Sequence, residues 1–146
     1  MSVLKTVISN PAWVCFTWLG MTAGISLLAT PVRFTAPTVT RAIALDVGRV
    51  VFTALNKAEL VALIILLIVV RTSGRARSWW PVCGALALIM LLQSVWLLPA
   101  LAERASLIVA GIEPAPSSLH GIYASVELAK LALLAGSGLY ALKPRG

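Results

Sequence analysis

Apolar residues dominate four stretches of the chain, each long enough to cross a ~30 Å hydrocarbon core as a helix of about 20 residues. They run from Ala12 to Val32, Gly48 to Val70, Trp79 to Leu101 and Leu119 to Leu142. The second contains the uninterrupted LVALIILLIVV and the fourth the tail LAKLALLAGSGLYAL. Short segments alternating at period two are absent, which excludes a transmembrane β-barrel. The pattern predicts an all-α, integral membrane four-helix bundle forming a single transmembrane domain over 1–146.

Orientation follows from the basic residues near the ends of the apolar runs, because Lys and Arg favour the cytoplasmic side. Lys5, Arg71, Arg75, Arg77, Lys143 and Arg145 fall on one side, and Arg33, Arg41, Arg49 and Arg104 on the other. Both termini are therefore predicted to be cytoplasmic, with the chain passing several times through the inner membrane. Trp13, Trp79, Trp80 and Tyr140 are expected near the cytoplasmic interface, and Phe34, Trp96 and Tyr123 toward the other. The run from Ala12 to Val32 is longer than the ~7–15-residue core of a signal peptide and lacks a small-x-small cleavage site, so it reads as a first span. Between spans, TVTRAIALDVGR looks helical from about Thr40 onward, and AERASLIVAGIEPAPSSL reads as a short interfacial turn followed by an extended stretch.

Composition changes this picture only in one respect. Hydrophobic residues make up 60% and charged residues 12%, against about a quarter charged in a soluble domain, so the main solvent is lipid. The net charge of +7 does not point to nucleic acid, because the basic residues flank apolar runs instead of clustering on a wet face.

The informative residues are the ionisable ones inside the second and fourth spans. A charge at mid-membrane costs at least ~2.5 kcal/mol on insertion scales unless it is paired or reaches water. At 100° per residue, Asp46, Arg49, Thr53, Asn56 and Lys57 share one face of the second helix, with Glu59 roughly opposite Lys57. His120, Tyr123, Glu127 and Lys130 form one stripe on the fourth, where Glu127 and Lys130 are close enough to pair. Since these two spans run in the same direction, Arg49 lies level with His120, and Asn56 to Glu59 level with Glu127 and Lys130. The depths predict a polar seam between the second and fourth helices, with Lys57 neutralising Glu127. Such a seam serves either transport or proton relay, or simply holds the bundle together.

Other motifs add less. His120 is the only histidine, so haem with two axial histidines cannot be built within one copy; a polar cap at a helix start is the plainer role. HExxH, GxSxG, CxxC and phosphate-loop patterns do not occur, and nothing points to catalytic residues, a cofactor or a metal site. Cys15 and Cys83, at similar depth in the first and third spans, read as small apolar residues rather than ligands of a soft metal. Gly20 and Gly24 form a GxxxG, suited to close helix approach within the bundle or between copies.

The segments WLGMTAGISLLATPVRFTAP, DVGRVVFTALNKAEL, LPAL and LHGIYASVELAKLALLAG resemble those of a group of small four-span bacterial membrane proteins of unknown function, related to a eukaryotic family connected with platinum-drug resistance. The likeness lies in a Gly-rich first span ending in Pro, a Gly-Arg entry to the second and a Leu-His entry to the fourth. It implies a four-span fold and brings no established catalytic residues. The charged LNKAEL and VELAK stretches stand outside that pattern.

These observations lead to a small oligomeric transporter or exporter whose partner is the lipid bilayer. The alternatives are an accessory or assembly subunit of a larger membrane complex and a membrane oxidoreductase using haem or quinone near His120 and Arg49.

Overall fold

The computed structural model describes residues 8–143. Among them are four helices long and apolar enough to cross a membrane: α1 (Ala12–Arg33), α2 (Arg41–Thr72), α3 (Ala76–Val109) and α4 (Leu119–Leu142). All lie antiparallel to their chain neighbours. One end of the bundle carries the 73–75 turn and the described chain ends; the other, the distal end, carries the 34–40 and 110–118 connections.

The helix ends follow local chemistry. Thr40 is extended and its hydroxyl accepts the Ile43 amide, capping α2. The turn into α3 needs a left-handed residue, which Gly74 supplies at φ +70°. Gly111, at φ +79°, ends α3 in the same way. The segment ASLIV, expected as an interfacial turn, instead continues α3 by two turns beyond Leu101. It contains no helix breaker, and Pro99 does not stop the helix.

Two prolines are absorbed by a local widening. Gly24–Ala29 of α1 and Gln93–Leu97 of α3 are π-helical, and in each the closing i→i−5 bond is donated by the residue just before a proline: Thr30 to Ile25 and Leu98 to Gln93. Proline has no amide hydrogen and its ring crowds the carbonyl four residues back, so the preceding turn opens instead of breaking. The Thr30 hydroxyl adds a second bond to the Ile25 carbonyl at 2.8 Å.

Helix α1 packs against α2 and α4, and α3 packs against the same two, so that α2 and α4 occupy opposite corners. Helices α1 and α4 come close at Gly138, where an added Cβ would lie 2.8 Å from the Phe16 ring. Toward the terminal end the core consists of Trp18, Leu66, Trp79, Leu86, Met90 and Leu134, together with Cys15 and Cys83. Both cysteines are free and buried there as small apolar residues. A side chain begun at Gly20 or Gly24 would meet nothing within 4 Å in the bundle.

The outside is as apolar as the inside. Leu28, Val50, Ile64, Leu88, Val95 and Leu139 are all at least half exposed, whereas Glu59, Glu127 and Lys130 are buried. Charges within and aliphatic residues without is the distribution that a lipid solvent selects.

Candidate functional site: a buried charge cluster beneath a cationic cavity

The centre of the bundle is held by side chains from all four helices. Lys130 of α4 is fully buried, and its ammonium makes an ion pair with Glu59 Oε1 of α2 at 2.6 Å and with Glu127 Oε2 at 2.9 Å. Its third bond goes to Gln93 Oε1 of α3, also at 2.9 Å. An ammonium has three donors and no acceptor, so Lys130 is saturated.

The acids accept further bonds. Glu59 Oε1 also accepts the Trp18 indole N–H at 2.9 Å and the Thr22 hydroxyl at 2.7 Å, both from α1. Glu127 accepts the Ser26 hydroxyl on Oε1 and the Gln93 amide on Oε2, each at 2.7 Å. Trp18, Thr22 and Ser26 are spaced four apart, so α1 offers a row of donors along one face. Ser26 and Gln93 lie within the two π-helical segments. The proline-induced widening thus sits at the residues that complete the cluster.

The diagonal placement explains the residue types. Helices α2 and α4 are not neighbours, and a tie across the bundle needs two long side chains, which Glu59 and Lys130 provide. Asn56 is used differently: it exchanges hydrogen bonds with Ser94 of α3 at 3.0 and 3.1 Å.

The predicted seam is corrected in one important respect. Lys57 is exposed and makes no ion pair with any described residue, whereas Glu59 is the buried member of α2. The reason is the packing stripe: Leu55, Glu59, Leu63, Leu66 and Val70 recur at three- and four-residue spacing and face inward. The polar face shared by Arg49, Thr53 and Lys57 lies toward the outside of the bundle. Arg49 bonds Asp46 at 2.7 Å near the surface, and His120 is exposed in the first turn of α4. Glu127 and Lys130 pair as expected. Trp18, Thr22, Ser26 and Gln93 were not singled out; a row of neutral donors in α1 and a lone amide in the apolar third span were their only signals.

Above the cluster, at the distal end, lies a cavity of about 160 Å³. Its walls are mainly apolar, from Phe52 and Leu98 among others, and it also receives Arg33, Arg49, His120 and Tyr123. No carboxylate lines it. Tyr123 is one turn above Glu127 on α4, is only 7% exposed, and meets Phe52 edge-on at 5.7 Å. Arg33 reaches across to donate to the Ala44 carbonyl at 3.0 Å, passing over Gly48, where a Cβ would come 2.9 Å from its guanidinium. Gly48 is therefore the seat of Arg33.

Among the described residues no group of three or more His, Cys, Asp or Glu side chains gathers in a way that could hold a metal ion. Comparison with protein-family models, with curated proteins and with solved structures finds no match to this chain.

Proposed function

We propose that this chain is a multi-pass carrier of the cytoplasmic membrane, with its termini inside, that moves a small solute through coupling to a proton held by the buried cluster. The observation that carries this reading is the charge count: two carboxylates, Glu59 and Glu127, face a single ammonium, Lys130. With every group ionised the cluster holds a net negative charge at mid-depth in four apolar helices, and an uncompensated charge there costs several kcal/mol. One proton on a carboxyl removes it.

The position of that proton changes the bundle. With Glu59 ionised, Lys130 ties α4 to α2 across the diagonal. With Glu59 protonated, the ammonium keeps its strong partner only on its own helix, Glu127, and the tie between opposite corners weakens. A proton thus selects between a locked and a loosened bundle, which is what a coupled carrier requires. The cavity opening just above the cluster is where a solute meets this switch.

The test is reconstitution into vesicles containing a pH dye. Solute-dependent proton entry should be seen with the native chain and be lost in Glu59→Gln, without loss of folded protein. Proton movement no different from that of empty vesicles, for every small organic solute offered, would overturn the reading.

One observation favours a second reading, a subunit of a larger membrane assembly. Lys57 lies on the exposed surface within two residues of Glu59, near mid-depth, with no ion pair to any described residue. A carboxylate on a neighbouring helix would neutralise it. Co-purification of another membrane protein at fixed ratio, abolished by Lys57→Leu, would establish that role.

A further inference from the structure

We infer that the distal cavity binds a small organic acid, with a carboxylate at its mouth, an apolar body of about one aromatic ring, and a second polar atom at its inner end. The inference rests on the carrier reading for its biological use and names the class of solute. The binding itself stands on three features of the cavity.

Charge is the first. Arg33, Arg49 and His120 come from α1, α2 and α4 to one space that no acid lines. Asp46 engages one Arg49 nitrogen, and the Ala44 carbonyl engages one of Arg33, leaving other guanidinium donors for a ligand. Arginine's planar fork is suited to a carboxylate.

Size is the second. The cavity's 160 Å³ is close to the ~150 Å³ of an engineered apolar cavity that accommodates benzene. Phe52 and Leu98 provide apolar wall for such a ring.

The third is Tyr123. It is more than nine-tenths buried, lines the cavity deeper along α4 than His120, and its hydroxyl bonds to no other described residue. Among the described residues only Arg75 Nε and Trp79 Nε1 are sealed in without a partner, so the Tyr123 hydroxyl is open to the cavity its residue lines and is placed to meet a ligand's polar atom. The arrangement is polar at both ends and apolar between. This selects a hydroxy- or oxo-substituted aromatic acid over a simple fatty acid, whose far end is apolar.

Binding to the purified full chain in detergent, with no gradient, tests this independently of transport. The probes are 4-hydroxybenzoate, benzoate and the neutral benzyl alcohol. The native protein should bind 4-hydroxybenzoate most tightly and benzyl alcohol most weakly. Arg33→Gln should weaken both acids by about tenfold or more, as loss of a charge-assisted bond does. Gly48→Ala, which retains the charge but displaces the guanidinium from its seat, should weaken them in the same direction. Tyr123→Phe should abolish the preference for 4-hydroxybenzoate over benzoate while benzoate binding persists. Thermal unfolding of each variant checks that the fold survives.

Equal affinity for benzoate and benzyl alcohol, or acid binding unchanged in both Arg33→Gln and Gly48→Ala, would overturn the inference. So would a retained anionic phospholipid, seen by native mass spectrometry, that neither acid displaces. Acid binding without proton coupling would sink the carrier reading alone, and proton coupling without acid binding would sink this inference alone.

Discussion

At the residue scale the cluster makes unequal demands on its three ionisable members. Lys130 is the only cation and bonds both acids, so Lys130→Met should be the most damaging substitution, costing about 3–5 kcal/mol as expected when a buried charge loses its partner. Glu59→Gln leaves Glu127 and Lys130 as a balanced pair and should fold nearly as well as the native chain. The double variant Glu59→Gln/Glu127→Gln strands the ammonium and should fall near Lys130→Met. Denaturation of the purified variants in mixed micelles ranks them, and equal losses from all three would show that charge balance does not govern the site. Gln93 is neutral but bonds both Glu127 and Lys130, so Gln93→Leu should cost about 1–3 kcal/mol for the two groups it leaves short. The buried cysteines carry no such burden: replacing Cys15 and Cys83 together by Ala should leave function intact and reduce stability modestly. Stoichiometric binding of a soft metal by the native chain, lost in that double variant, would contradict their assignment as packing residues.

At the scale of elements, the π-helical turns before Pro31 and Pro99 are the least expected feature and the most open to test. If the widening before Pro99 is what aims Gln93 inward, Pro99→Ala should let the turn close to ordinary α-helix and rotate Gln93 by about 100°. The loss of stability should then match that of Gln93→Leu, and the double variant should be no worse than either. Additive losses would show that Pro99 matters for another reason. The helices themselves were legible in the sequence because lipid imposes length and apolarity on any span. Facing was harder to read, since in lipid the outer surface is apolar too, and the usual contrast between a polar outside and an apolar inside disappears. Grouping Lys57 with Asn56, Thr53 and Arg49 therefore traced the polar stripe of α2, whereas the inward stripe was the apolar one interrupted by Glu59. The stripe on α4 was legible because His120, Tyr123, Glu127 and Lys130 keep one helical period. Trp18 and Thr22 keep an ordinary four-residue spacing but are neutral, whereas Ser26 and Gln93 sit in the widened turns, whose offset of one residue periodicity does not anticipate.

At the scale of the whole molecule, six basic residues flank one end of the spans and four the other, so the end bearing the 73–75 turn should lie in the cytoplasm. Reporter fusions after Gly146 and within 113–118 should be active on opposite sides of the membrane, and export of the carboxy-terminal reporter would reverse the assignment. The larger claim is that four helices enclose one carboxylate too many and hold a proton to balance it. Infrared spectroscopy of the purified protein at neutral pH reads this directly through the C=O stretch of buried protonated carboxyls. The native chain should show a single such group, Glu59→Gln should show none, and folded Lys130→Met should show both carboxyls protonated. A native spectrum with both acids ionised, unchanged in Lys130→Met, would contradict the account.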